Sequence, residues 1–310
     1  MTARIPLPRE LQTGAFSVDR ALALGLGAKR LRGKDLEQPF WGVRTVRGPA
    51  PVPTAHDLAC VYAARMPTQS FFSHVTAARL WGIPIPIRLQ LSPSLDVGVP
   101  QAHFVPTGRG VRGHRLRIAP EDVVRLGGLR VTSLARTWCD LAALLDEEDL
   151  VAAGDFLLWR KRPRSLRLGR DDLAHALSRF HGRRGRPRLD ATLPFLSDRS
   201  DSPPESAFRV RFAHAGFPPP AVNRDAFDDA GRFLGMPDLS FPEYRVAFDY
   251  EGDHHRTDPV QWAKDLKRAP RFENADWAYL LGGSADYADP GELLANVARR
   301  LRAHGFVLTR

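Results

Sequence analysis

The order of apolar and polar positions divides the chain into stretches of helical and strand character. In TGAFSVDRALALGLG, apolar residues recur at helical spacing behind a candidate N-cap, Ser17, and the pattern stops at Gly25 and Gly27. AKRLRGKDLEQ predicts a short basic helix, and PFWGVRTVRG a strand-turn-strand wing around Gly42. Helix, tight turn, basic helix and wing follow the order of a winged helix-turn-helix unit, placed at residues 1–50. Over 51–160, helices such as HDLACVYAARM and SHVTAARLWGI mix with the strands LDVGV and GLRVTS, and the helix pair LARTWCDLAALL and EEDLVAAGDFLLWR completes the segment. Residues 161–201 read as a basic helical linker with one helical pattern, DDLAHALSRF, and a hinge at Gly182, Gly185 and Pro187.

After Asp201 the predicted order is α, β, β, β, α, β, α. Pro203 and Pro204 open the helix ESAFRVRFAHAG, and Gly216 ends it. AVNRDAFDD and RFLGMPDLSF read as strands joined by a turn at 229–231, and EYRVAFDYEG follows after another tight turn. QWAKDLKRAPRFENA is helical with a bend at Pro270, WAYLLGG is an apolar strand, and PGELLANVARRLRAHG closes the chain as an amphipathic helix. The fold class is α/β of the α+β kind, with a winged N-terminal unit, a mixed α/β middle region and a C-terminal domain at 202–310 built on a mixed sheet flanked by helices.

At 310 residues the chain suits two domains or three small ones. A hydrophobic content of 43% and mean hydropathy of -0.29 fit a globular chain, and no apolar run approaches the roughly 18 residues of a membrane helix. MTARIPLPRE lacks the apolar core of a secretory signal, so a cytoplasmic location without a membrane partner is expected. Two cysteines, Cys60 and Cys139, exclude a disulfide framework and read as buried thiols.

Charge sharpens the picture. The formal net charge is +10, yet Arg160 to Arg188 alone carries eleven Lys or Arg against two Asp. That concentration points to a polyanion, and DNA is the expected partner. The residues expected to meet it are Lys29, Arg30, Arg32 and Lys34 in the basic helix, and Arg183, Arg184 and Arg186 in the cluster. A solvated linker explains the same run, and only five of the 45 basic residues are Lys, a bias of GC-rich coding. His74, His103 and His114 read as structural or solvent-facing, because no carboxylate stands at a recognisable spacing from them.

The chemistry concentrates around YEGDHHRTD, which follows the apolar run VAF. Strand side chains alternate faces, so Asp249 and Glu251 share one. A hairpin between EYRVAFDYEG and RFLGMPDLSF brings Asp238 to the same region, and Glu205 adds a fourth carboxylate from the preceding helix. Unpaired, such a cluster costs several kcal/mol, whereas a divalent cation removes the conflict. Oxygen ligands suit Mg²⁺, or Mn²⁺, rather than zinc. Glu205 also reads as a first-turn acid favoured by the helix dipole. His255 is a candidate acid/base or a donor to a carboxylate, and Asp265 with Arg268 reads first as an ion pair along one helix and second as a pair orienting the site.

Two resemblances attach to these motifs. Pro237-Asp238, ten residues, then Asp249-Tyr250-Glu251 resembles the PD-(D/E)xK nuclease pattern with its final lysine replaced. SPPES, MPDLSFP, VAFDYEGDHHR, DLKR and WAYLL resemble the branch similar to the very-short-patch repair endonuclease, over about 202–305. That resemblance implies Mg²⁺-dependent phosphodiester hydrolysis at Asp238, Asp249 and Glu251, with Glu205 assisting and His255 near the scissile phosphate. Glu251 stands where the pattern keeps lysine, and His255 or Lys264 is the candidate substitute. SHVTAARLWGIP, RGVRGHR and VTSLARTWCDLA resemble the middle region of AbiEi-type antitoxins, which implies a DNA-binding front half. Two functions therefore stand: a metal-dependent DNA endonuclease, and a non-catalytic regulator of antitoxin type carrying an inactivated nuclease domain.

Overall fold

The computed structural model describes residues 5–48, 53–252 and 268–307. The chain divides into two compact units, Met1–Leu144 with Ala176–Arg186, and Leu145–His175 with Pro187–Arg310. The α+β class is realised in both.

The first unit begins with β1 (Ala15–Ser17), α1 (Val18–Ala23), β2 (Leu36–Glu37) and β3 (Val43–Val46), whose strands form an antiparallel sheet of order β1-β3-β2. Ser17 caps α1, its hydroxyl accepting from Arg20 N–H at 3.1 Å. Gly25, at φ +83°, turns the chain so that Leu26 joins Leu11, Phe16, Ala21, Leu31 and Leu36 in a small core. The basic helix expected over AKRLRGKDLEQ is a single 3₁₀ turn, Arg30–Arg32. Gly27 and Gly33 bracket it, and its helical face is lost once Leu31 is drawn into the core and Arg30 is buried beside it.

The unit continues through α2 (Ala55–Ala63), β4 (Phe71–Phe72), α3 (His74–Trp81), α4 (Ile87–Gln90), β5 (Leu95–Pro100), β6 (Val111–Leu116), β7 (Val123–Leu126), β8 (Leu129–Thr132) and α5 (Leu134–Leu141). These strands form a sheet of order β6-β5-β4-β8-β7. β5 and β6 run parallel, which sets Asp96 beside Arg112 and Gly98 beside His114. Gly98 is obligatory there, since a Cβ would lie 2.3 Å from the Phe71 ring. Cys139 is buried as expected, whereas Cys60 is exposed, because Ala59 and Tyr62 take the inward positions of α2.

The second unit contains α6 (Glu147–Leu158), and the chain then runs through α7 (Arg170–Ser178), α8 (Arg186–Thr192), α9 (Pro203–His214), β9 (Ala221–Val222), β10 (Ala226–Phe227), β11 (Phe233–Gly235), β12 (Leu239–Phe241), β13 (Val246–Tyr250), α10 (Arg268–Glu273), β14 (Ala278–Gly282), α11 (Ser284–Ala288) and α12 (Gly291–Ala303). The helix pair grouped by sequence in the middle region is thus divided, with α5 in the first unit and α6 in the second. Residues 176–186, from the linker span, belong to the first unit rather than to a free hinge. Gly185 lies so close to α5 that a Cβ would come within 2.8 Å of Ala142 Cβ. RFLGMPDLSF splits into β11 and β12 around Pro237, which has no N–H for a ladder.

The main sheet of this unit has the order β14-β13-β12-β9, with β13 and β14 parallel and the other pairs antiparallel. Both of its faces are covered. Val246 and Phe248 point into a core with Phe208 and Phe212 of α9 and Leu293, Val297 and Leu301, the i, i+4, i+8 stripe of α12. Ala247 belongs to a second cluster with Leu234, Phe272 and Trp277. Phe248 meets Phe208 at 4.9 Å between centroids, so trimming it to Ala costs ~3–5 kcal/mol. Among the described residues no helix is long and apolar enough to cross a membrane.

Candidate active site

Alternation along β13 places Asp249 on the face of Ala247, and the register of β12, with Leu239 opposite Phe248, brings Asp238 beside it. Asp238 N–H donates to Asp249 Oδ1 at 2.7 Å, and Tyr250 N–H donates to Asp238 Oδ2 at 2.8 Å. Each carboxylate is therefore bonded to the neighbouring strand's backbone, and the pair sits where the β12–β13 ladder opens.

Asp249 is only 5% exposed. It accepts a hydrogen bond from the Tyr279 hydroxyl, and Arg268 Nη1 approaches its Oδ2 at 2.8 Å. Burial first, then the charge and hydrogen bond of Asp249, raises Tyr279, so its hydroxyl keeps the proton it donates. Arg268 reaches Asp249 and also donates to Met236 O, while Asp265, its expected helical partner, lies outside the described residues.

Glu205 is 4% exposed and enters from the first turn of α9. Ser202 caps that helix, its hydroxyl accepting from Glu205 N–H at 3.4 Å. Glu205 Oε2 accepts from Asp201 N–H at 2.9 Å and Asn223 Nδ2 at 2.6 Å. Asn223 holds a left-handed φ of +46° and donates its own N–H to Asp238 O at 2.9 Å, linking Glu205 to the strand of Asp238. Burial raises the Glu205 carboxyl. Burial, then Asp249, then Glu205 pushes Asp238 up to about 8.

The structure thus brings Glu205, Asp238 and Asp249 together. Glu251 lies one residue past β13 with its side chain exposed and its N–H donating to Gly282 O at 2.8 Å, and its charge contributes to raising Tyr279. His255 and Lys264 lie outside the described residues. Arg268 was legible through the DLKR motif, with a role orienting the site as its second reading, whereas Tyr279 and Asn223 had no signal as site residues in the sequence. They reach the acids through parallel pairing and loop contacts that no local spacing encodes.

The expected nucleic-acid residues fare unequally. Lys29, Arg32 and Lys34 are exposed. Arg30 is buried, its guanidinium fork closed on Asp35 at 3.1 and 2.7 Å and its Nε donating to Ile5 O, so it is a structural residue and not a phosphate contact. Arg183 and Arg184 are exposed, while Arg186 is half-buried with Nη1 bonded to Leu177 O at 2.9 Å. The hairpin tip between β2 and β3 carries an unforeseen feature: Trp41, 71% exposed, with the Arg65 guanidinium 4.5 Å from its ring centroid.

The histidines of the middle region are also better supported than their spacing predicts. The parallel β5–β6 pair brings His114 Nε2 within 2.7 Å of Asp96 Oδ1, and the His74 ring stacks on His114 at 3.9 Å.

No family model matches the chain. Two uncharacterised proteins of Mycobacterium tuberculosis, MT2308 of strain CDC 1551 and Rv2248 of strain H37Rv, are each 28% identical to it over 178 residues. The match covers 57% of this chain and 64% of each relative, so the chain spans under two thirds of the curated relatives it matches. The crystal structure of the RV2827C protein from Mycobacterium tuberculosis overlaps 60% of this chain and 73% of its own, with a TM-score of 0.42 and 16% identity.

Proposed function

We propose that the second unit hydrolyses DNA phosphodiester bonds with Mg²⁺, or Mn²⁺ in its place, and that the first unit holds the duplex. The observation that carries this reading is the Asp238–Asp249 pair at the open end of two strands, with Glu205 behind it and Asp238 pushed up to about 8. An acid pair in this condition gains from a divalent cation what it loses by ionising.

The donor set fits Mg²⁺. Among the described residues no three His, Cys, Asp or Glu side chains form a ready-made ligand shell. Mg²⁺ asks for less, since it commonly takes one or two carboxylates and fills its octahedron with water and substrate phosphate. Asp238 and Asp249 would hold it, with Glu251 at the exposed edge. When bound, it would polarise the phosphoryl oxygen and lower the pKa of a coordinated water.

The chain's own residues do the rest. Tyr279 and Arg268 fix Asp249, and Asp249 in turn fixes the Asp238 backbone, so the two carboxylates share one arrangement before any ligand arrives. Glu205 and His255 are assigned the proton transfers. Glu205 suits that task because burial raises its carboxyl above the ordinary glutamate value while Asn223 orients it. Lys29, Arg32, Lys34, Arg183 and Arg184 supply phosphate contacts, a salt-sensitive and sequence-poor grip.

Incubating the purified protein with supercoiled plasmid under Mg²⁺, Mn²⁺ or chelator tests the reading. Cleavage is expected with either metal, none with chelator, and none in Asp249→Ala despite retained folding and DNA binding. The second reading is the antitoxin-type regulator, favoured by the Arg268–Asp249 ion pair, which already neutralises one carboxylate. An intact plasmid in every tube, with salt-sensitive binding preserved, selects it.

A further inference from the structure

The first unit contains a concentration of cations of which the nuclease reading uses only Arg183 and Arg184, as general phosphate contacts. A cavity of about 500 Å³ is lined by Arg115, Arg117, Arg136, Arg183 and Arg184 against a single carboxylate, Asp140. Asp140 is already committed, with Oδ1 accepting from Arg136 Nε at 2.9 Å. Arg136 also donates to Arg117 O at 2.9 Å and lies over the Phe180 ring, so it belongs to the wall. Among the described residues no ion pair engages Arg115, Arg117, Arg183 or Arg184. Four guanidinium groups round one concavity repel each other unless an anion enters, and Arg is the side chain whose fork matches phosphate oxygens.

The walls are built rather than incidental. His74 stands at a left-handed φ of +47°, bonds Ser73 Oγ through Nδ1 at 3.0 Å and stacks on His114, which Asp96 anchors. Burial, with His114 and nearby arginines, lowers His74 to about 3, so it faces the cavity as a neutral hydrogen-bonding ring. The close packing of Gly185 on Ala142 brings the 180–185 segment, with Arg183 and Arg184, to the rim. The volume exceeds what inorganic phosphate needs and falls within the range of small-ligand sites. Phe180 and Leu116 give part of the lining an apolar surface for an organic group.

We infer that this cavity binds a compact phosphate monoester of the nucleotide class, with Arg115, Arg117, Arg183 and Arg184 on the phosphate. That chemistry has two sources, a free nucleoside monophosphate or the 5′-phosphorylated end of a DNA strand. The inference does not depend on the endonuclease reading, since the site lies wholly within the first unit.

Calorimetric titration of the full chain, in chelator, tests it with deoxyadenosine 5′-monophosphate, deoxyadenosine, and a short duplex with and without 5′-phosphates. Saturable binding of the monophosphate but not the nucleoside is expected, weakened at least tenfold in Arg115→Ala/Arg184→Ala and unchanged in Arg125→Ala, an exposed arginine outside the cavity. A preference for the 5′-phosphorylated duplex assigns the strand end as the source, and equal affinity for both duplexes assigns the free nucleotide. Arg183→Ala serves as a second variant if the double substitution alters the circular dichroism spectrum. No saturable binding of either phosphorylated probe, or binding indifferent to these arginines, overturns the inference. Asp249→Ala should bind as the wild type does, so a failed nuclease assay leaves this result standing.

Discussion

Asp238 and Asp249 are fixed through each other's strand: Asp249 accepts the Asp238 N–H, and Asp238 accepts the N–H of Tyr250, the residue after Asp249. The geometry that orders the two carboxylates also keeps them close, and the cost appears as the Asp238 carboxyl pushed up to about 8, by burial first and then by Asp249 and Glu205. Between the ordinary aspartate value of about 3.9 and about 8, the folded chain holds a proton that the unfolded chain has released. Stability therefore falls as pH rises through that window and levels off above it.

The first prediction follows directly. In chelator, the thermal midpoint of the wild type should decline from about pH 5 to about pH 8 in excess of Asp238→Asn, whose curve is flatter. Above about pH 8 the variant should melt higher, by about 2–4 °C for each ~1 kcal/mol regained. Superimposable melting curves for the two proteins at every pH would count against the strained acid pair.

Tyr279 offers a separate check on Asp249. Its hydroxyl, together with Arg268, holds that buried carboxylate. Tyr279→Phe removes a hydrogen bond to a charged group and should lower stability by ~1.5–3 kcal/mol near neutral pH, read from urea denaturation.

The N-terminal arginines and lysines should separate into two kinds by measurement. Arg30→Ala breaks a part-buried bidentate pair with Asp35 and should lower stability, by about 1.5–3 kcal/mol, before it touches DNA affinity. Lys34→Ala and Arg32→Ala, at exposed positions, should leave the melting point within about 0.5 kcal/mol. Each should reduce the slope of log affinity against log salt by about 0.9 if its phosphate contact is real, as fluorescence anisotropy would record.

What the sequence made legible was set by range. Period-two alternation and the tight turn between Phe241 and Val246 sufficed to bring Asp238 alongside Asp249, because a short hairpin fixes register and a one-residue slip would reverse every buried face. Ser17, Ser202 and the glycine stops were readable because capping is local. Tyr279 was not, since a parallel partner arrives through a crossover of dozens of residues and its register leaves no mark on either strand alone. The His114–Asp96 contact escaped because the parallel register of β5 and β6 likewise leaves no mark on either strand alone. Arg30 misled because charge alone does not distinguish an arginine that faces solvent from one that closes on Asp35.

The last prediction concerns the support behind the acid cluster. Asp155 of α6 and Arg209 of α9 form an ion pair in which both residues are buried, and Asp155 also accepts from Ser206 Oγ and Ser197 N–H, each at 2.6 Å. Arg209 Nε is buried with no hydrogen-bond partner among the described residues, so the guanidinium depends heavily on that carboxylate. Asp155→Asn keeps the shape but strands the cation, and should cost ~3–5 kcal/mol. Asp155→Asn/Arg209→Met, which removes both charges, should recover most of that loss, because desolvating two ions consumes much of what their attraction supplies. Urea unfolding of the four proteins gives the coupling by a double-mutant cycle. Additive losses would mean that α6 and α9 are held by their apolar contacts alone, and that the first turn of α9, with Glu205, is positioned without this pair.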